Sequence, residues 1–417
     1  MLIKLAGLSL WNRRITLLLT LVSLTISIAL VLGIDHLRNQ AKESFSKTLS
    51  GTDLIVGARS GTVNLLLYSV FRIGNATNNI TWQSYQELEK HSAVDWVIPI
   101  SLGDSHHGYR VLGTNEAYFA HYQFGQKQHL AFAEGKIFEG VYDVVLGAEV
   151  AQKLGYTLGD KIIVAHGSGD ITLSKHDDKP FTVSGILQPT GTPVDRTVHL
   201  SLAAIEAIHL GWQSGVQSNQ KISAEEAIKQ DLTPTAITAI FVGLKSRSTT
   251  FAVQQQINEY ADEPLQAILP GVALTELWQM LAMVENLLAV ISVLVLVAAL
   301  LGMTTSLLAA MNERQHEIAI LRSLGASARY LFMLIELEVL LVVSSALIFG
   351  AAVLSLVLVA AHGYLAQKFG LFVSINPFHS YTFLGAGLVI LLALLLGALP
   401  AFVAYKRALN KGLTQAT

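Results

Sequence analysis

Four runs of apolar residues constrain this chain more than anything else in it: Ile15 to Ile34, Leu277 to Ala310, Tyr330 to His362 and Tyr381 to Pro400. A helix rises about 1.5 Å per residue and the hydrocarbon core of a bilayer is about 30 Å thick, so roughly 20 apolar residues cross it. Each run reaches that length. Inside lipid every backbone N–H and C=O has to be paired, which makes runs of this length helices. The expected fold is an α-helical membrane protein with four transmembrane helices. Composition agrees, since 52% of the 417 residues are hydrophobic and only 14% are charged, against about 25% charged in soluble domains.

The flanks of the runs set the expected orientation. Lys4, Arg13 and Arg14 precede the first run, Arg314, Arg322 and Arg329 lie between the second and third, and Lys406, Arg407 and Lys411 follow the fourth. The short loop from Gln367 to Ser380 carries only Lys368. Basic residues in short flanks stay in the cytoplasm, so both termini are expected there. Met1 to Ile34 also has the outline of a signal peptide. The length of its apolar run and the absence of an A-x-A-like site after Gly33-Ile34-Asp35-His36 make it the first span instead.

Between Asp35 and Leu277 no run is long enough to cross, and charged residues return. Lys161-Ile-Ile-Val-Ala165, Phe181 to Leu187 and Ala239 to Leu244 read as strands. Thr81 to Lys90, Glu149 to Leu154, Leu200 to Leu210 and Ser248 to Tyr260 read as helices. This is a large mixed α/β extracytoplasmic domain inserted between helices 1 and 2. The chain then divides into 1–35 (an N-terminal interfacial segment and the first span), 36–275 (the outer domain) and 276–417 (three spans), with a cytoplasmic segment at 311–329.

Several chemistries are excluded or demoted by what the residues are. There is no cysteine and the net charge is only -2, which removes disulfides and thiolate chemistry and gives no reason to expect nucleic acid. The run Gly51 to Gly61 is glycine-rich, yet G-x-x-x-x-G-K-[ST] is absent from the chain, so no nucleotide cradle is expected. Ten of the 13 histidines lie in the outer domain, among them His106, His107, His121, His129, His166 and His176. None lies inside a stretch read as a helix with a carboxylate four residues away, so they read as surface or core residues and no metal ligand is assigned. Glu336 and Glu338 fall in the first turns of the third span, where a carboxylate needs solvation at the edge or a partner such as Arg314 or Arg329. Gly350, Ala351 and Ala352 offer a small face for close helix packing.

The polar island between the second and third runs carries the most information. Ile318, Leu321, Leu324 and Gly325 fall on one side of a helix, and Glu313, Arg314, Glu317 and Arg322 on the other. The order Glu313-Arg314-x-x-Glu317-Ile318-x-x-Leu321-Arg322-x-Leu324-Gly325-Ala326 resembles the signature of the FtsX/MacB-type ABC transporter permeases, which include lipoprotein-releasing LolC and LolE. Gly155-Tyr-Thr-Leu-Gly-Asp160 after Val145-Leu-Gly147 resembles a turn in MacB periplasmic domains, and Pro400-Ala-Phe-Val-Ala-Tyr-Lys-Arg407 resembles the end of the last span.

The resemblance implies that 36–275 is a MacB-like core domain, that 276–417 is an FtsX-like permease domain, and that Glu313 to Gly325 couples to a separate cytoplasmic ABC ATPase. It implies a non-catalytic subunit without a cofactor of its own, ATP being bound by that partner. A second copy or a sister permease would complete a dimer, with periplasmic protein partners also open. The expected function is ATP-driven export or release of a lipoprotein, peptide or small amphiphile. FtsX-like signalling to a periplasmic enzyme and a metal-handling ABC system are the alternatives.

Overall fold

The computed structural model describes residues 14–166, 174–175, 179–210, 212–213, 216–217, 222–313, 320–321, 323–369, 374, 376–378 and 380–410. They form two units: one from 14–41 with 282–369 and residues after 373, and one from 42–281. The boundaries at 41/42 and 281/282 fall inside two long helices.

In the first unit four helices are long and apolar enough to cross a membrane, over Arg14–Glu43, Pro270–Met311, Ala328–Ala361 and Thr382–Lys406. The helices themselves run further: α1 over Arg14–Thr48, with α8 (Pro270–Glu313), α9 (Ala328–Phe369) and α10 (Ser380–Asn410) later in the chain. The first is therefore longer than its apolar run, because nothing between Asp35 and Thr48 is a glycine or proline that would stop it. Leu24 and Ile28 of α1, Leu300 and Met303 of α8, Val343 and Ala346 of α9 and Ala393 of α10 share one core. Small residues let the backbones approach. A Cβ on Gly350 would meet Ile28, and one on Gly397 would meet Val339.

Polar residues of α1 are also buried here. His36 Nε2 bonds the Ser374 carbonyl at 2.8 Å, and Gln40 Oε1 accepts from the Ser374 N–H at 3.1 Å. These two bonds tie the short loop before α10 to α1. Arg38 pairs with Glu285 of α8 at 2.9 Å.

The second unit is built on a mixed sheet. Its strands are β1 (Leu54–Ala58), β2 (Val94–His106), β3 (Tyr109–Thr114), β4 (Phe132–Gly135), β5 (Asp143–Leu146), β6 (Phe181–Leu187), β7 (Thr197–Ser201), β8 (Ala239–Leu244) and β9 (Leu265–Ile268). Their order across the sheet is β9-β1-β8-β2-β3-β7-β5-β6-β4. Pairing is parallel at β3–β7 and β5–β6 and antiparallel elsewhere on this path. The 13 residues of β2 serve two neighbours along this path, with Val94 to Ile100 pairing β8 and Ser101 to His106 pairing β3, and a third off it, since Asp104 and Ser105 also pair His166 and Ala165.

Helices cover both faces, so the central strands are apolar throughout rather than alternating. Ile55 points into one core with Leu65, Tyr118 and Phe241, while Leu54 and Val56 point into another with Tyr85, Val242 and Val253. The covering helices are α2 (Thr62–Ser69), α3 (Trp82–Glu89), α4 (Glu116–His121), α5 (Ala148–Leu154), α6 (Leu202–His209) and α7 (Thr250–Asn258). Side chains of Thr81 and Ser201 cap α3 and α6 by accepting from the backbone N–H of Ser84 and Ala204. The strands expected at Phe181 to Leu187 and Ala239 to Leu244 are present with those bounds. The one expected over Lys161 to Ala165 is not: Lys161–Ile162 pairs β6, and pairing resumes at Ala165–His166 on a different neighbour, β2.

Candidate functional site

The segment between α8 and α9 was singled out by its charge, and its described part is a tight helical corner. Residues 320, 321 and 323 are helical. Gly325 has φ +92°, a conformation costly for residues with a Cβ, and the Ala326 N–H returns to the Leu321 carbonyl at 3.0 Å. That is a Schellman-type end, with Gly325 as the left-handed residue just past the helix. Two residues later Ser327 starts α9, its Oγ accepting from the Tyr330 N–H at 3.2 Å. Only Ala326 separates the stop of one helix from the cap of the next.

Of the eight residues assigned to this site, Arg314, Glu317, Ile318 and Arg322 lie outside the described residues, and Glu313 is described only as the last residue of α8. Leu321 is half-buried, while Leu324 is 80% exposed. Ile320 is 51% exposed. It precedes Leu324 by four residues, so the two share a helical face. The sequence pattern groups Leu321 with Leu324 and misses Ile320. The signal that finds it is the i, i+4 spacing to Leu324.

Beneath the corner Met311, Ile335, Ala401 and Ala404 form a small core with Phe332. Glu338 is buried at 2% exposure and Glu336 is half-buried.

The two other features flagged in the sequence take structural places. Gly51 to Gly61 contains β1, and a Cβ on Gly57 would strike Leu65 and the Tyr68 hydroxyl. Its Asp53 accepts from the Leu244 N–H at 2.8 Å. His106 bonds the Ile163 carbonyl through Nδ1 at 2.6 Å and the Tyr156 hydroxyl through Nε2 at 3.1 Å. Burial lowers its pKa, the Ile163 carbonyl opposes this, and His107 adds to it. His121 stacks on Trp96, and His129 bonds Gln123 and the Ala120 carbonyl. The side chains of His166 and His176 lie outside the described residues. Among the described residues no three His, Asp or Glu side chains converge as a metal would require.

The model of the MacB-like periplasmic core domain matches residues 17–260, more than half of the chain, and that of the FtsX-like permease C-terminal matches residues 289–412. The chain belongs to the FtsX/MacB-type ABC transporter permeases. Among solved structures it is similar to the periplasmic region of MacB from Actinobacillus actinomycetemcomitans, at 12% identity and a TM-score of 0.34, over 55% of this chain and 94% of that one. It is also similar to the extracellular domain of the noncanonic ABC-type transporter YknZ from Gram-positive bacteria, at 14% identity and a TM-score of 0.30, over 52% and 99%. No curated protein matches. As a permease of this type the chain is a multi-pass membrane protein with a large domain outside the membrane, in a family of generally non-catalytic components.

Proposed function

We propose that this permease is the membrane subunit of an ABC assembly, that a separate cytoplasmic ATPase docks on Glu313 to Gly325, and that the ATPase cycle moves the outer domain to export or release a substrate. In this reading the termini are cytoplasmic, two permease chains share two ATPase subunits, and ATP is bound and hydrolysed by the partner. The observation that carries it is the corner at Gly325. The left-handed cap and the Ser327 cap fix the direction of two helices with one residue between them, and Leu324 and Ile320 stand exposed at its tip. Exposed apolar side chains beside charged ones supply an anchor and a polar rim, as protein interfaces require. A push on a corner fixed by these two caps is passed on to α9 rather than absorbed.

Leu324→Asp, and the pair Glu317→Lys with Arg322→Glu, test this in membranes containing the partner ATPase. The expected result is loss of co-purification, or ATP hydrolysis no longer stimulated by the permease, while the permease alone still extracts and purifies as wild type. Normal stimulated hydrolysis in both variants would place docking elsewhere.

A further inference from the structure

The loop that follows α2 opens a cavity in the outer domain with a volume of ≈ 520 Å³. Arg72 and Arg110 both line it, and Asn75, Thr77, Asn78 and Asn79 supply its remaining polar rim. No carboxylate lines it, and among the described residues neither arginine makes an ion pair. Arg110 is fixed in place, its Nη2 donating to the Gly74 carbonyl and to Asn75 Oδ1, each at 2.9 Å. With its oxygen engaged, the Asn75 amide keeps its N–H groups as donors.

Arg72 is the more unusual residue. Its φ is +61°, the left-handed region that a side chain disfavours. Its Nε and Nη1 are closed off from solvent without a hydrogen-bond partner among the described residues. The Tyr118 hydroxyl is near enough to feel this charge but makes no hydrogen bond of normal geometry. Burial holds Tyr118 up at about 12 against the pull of Arg72. Burial, with the charge of Arg72 behind it, takes His199 down to about 3. Both are neutral at physiological pH, so neither balances Arg72. Asp195, which also acts on Tyr118, has its oxygens filled by Thr190 and Gly191. Arg110 is lowered by burial and then by Arg72, so the two guanidinium groups repel.

A strained backbone that holds a partly buried cation beside a second cation is costly for folding alone, and such strain collects at binding sites. We propose that this cavity binds a phosphate group, held between Arg110 and Arg72, the latter through the Nη2 that is not closed off, with Asn75 donating at the rim. Two fixed positive charges match a phosphate monoester, which carries about -1.5 to -2 at neutral pH, better than a carboxylate. The volume exceeds that of phosphate alone and lies within the roughly 300–1,000 Å³ of small-molecule sites. Tyr68 and Leu102 line the remainder, so there is room for an adjoining organic part. Free phosphate and a lipid headgroup share this chemistry, and the experiment separates them.

The test uses the full chain in dodecyl maltoside at low ionic strength, without the ATPase, so it is independent of the docking proposal. Inorganic phosphate, acetate and the short-chain lipid dihexanoyl phosphatidic acid are titrated by calorimetry. Phosphate should bind more tightly than acetate, and added sodium chloride should weaken it. Arg110→Gln and Asn75→Asp should each weaken phosphate by about tenfold or more, as expected for loss of a charge-assisted bond. Arg72→Gly relieves the backbone as well as removing the charge. It should leave the unliganded protein at least as stable as wild type and abolish binding, which separates lost recognition from lost folding. Arg59→Gln, outside the cavity, should change nothing. Phosphatidic acid binding about tenfold more tightly than phosphate identifies a lipid headgroup, and equal affinity identifies the free anion. No binding at millimolar phosphate, or binding that survives Arg72→Gly and Arg110→Gln, overturns the proposal.

Discussion

The sheet of the outer domain and the helices of the membrane unit are both apolar, yet they are held together differently. In the sheet, Leu54, Ile55, Val56, Phe241 and Val242 are all at 0% exposure, and removal of that surface from water drives folding. In the helices Leu294, Leu356 and Leu384 are 62%, 72% and 74% exposed, which in lipid carries no penalty. What joins the spans is close contact at small residues, such as Gly350 against Ile28 and Gly397 against Val339. Exposure therefore measures stability in one region and says little about it in the other.

The largest effect that would break this contrast is expected in the sheet. Phe241→Ala should cost about 3–5 kcal/mol by loss of transfer energy and the cavity left behind, read as the denaturant midpoint of the outer domain within the full chain. A cost below about 1 kcal/mol would show that the core repacks freely. Next comes Gly350→Leu, which forces a side chain against Ile28 and should cost about 1–3 kcal/mol, read as faster unfolding of the spans in mixed micelles. Leu356→Ala, on the same helix but exposed, should stay within about 0.5 kcal/mol. Equal effects from the two would remove the distinction between packing and lipid faces.

The remaining effect concerns acid, and near neutrality it is small. His199 is held down at about 3 by burial, while unfolded it titrates near its ordinary value of 6.5. Between those values the unfolded chain binds more protons, so stability falls as pH drops from 6.5 toward 3. His106 is shifted in the same direction. His199→Asn should flatten that loss in an unfolding series against pH. An unchanged slope would mean that carboxylates such as those bonded within the domain set the acid limit.

Which features were legible in the sequence follows from the same physics. The four spans were visible because lipid demands length, and β6 and β8 because their side chains and bounds agree with the period. The longest strand, β2, gave no signal, since Pro99 and Gly103 interrupt it and those residues argue against a central strand. Lys161 to Ala165 misled because local alternation does not reveal that Lys161–Ile162 and Ala165–His166 pair different neighbours. At the candidate site, Gly325 and Ser327 could be placed by capping chemistry, but the exposure of Ile320 depends on the turn of one helix against the next. The cavity at Arg72 and Arg110 was illegible, because 38 positions separate the two arginines (110 minus 72) and β3 brings the second back.

Strand β1 lies between β8 and β9, and this order has a consequence in time. The five residues of β1 leave the ribosome roughly 200 residues before β9, which at about 5–20 residues per second is on the order of 10–40 s. For most of that interval a strand apolar on both faces has neither neighbour, since β8 is complete only about 20 residues before β9 begins. Its sheet cannot close until a loop of that length has closed, which is slow. A newly made chain of this permease thus waits, already anchored by α1, with an open strand on the far side of the membrane, and its yield is set by how long that strand avoids the same strand on another chain.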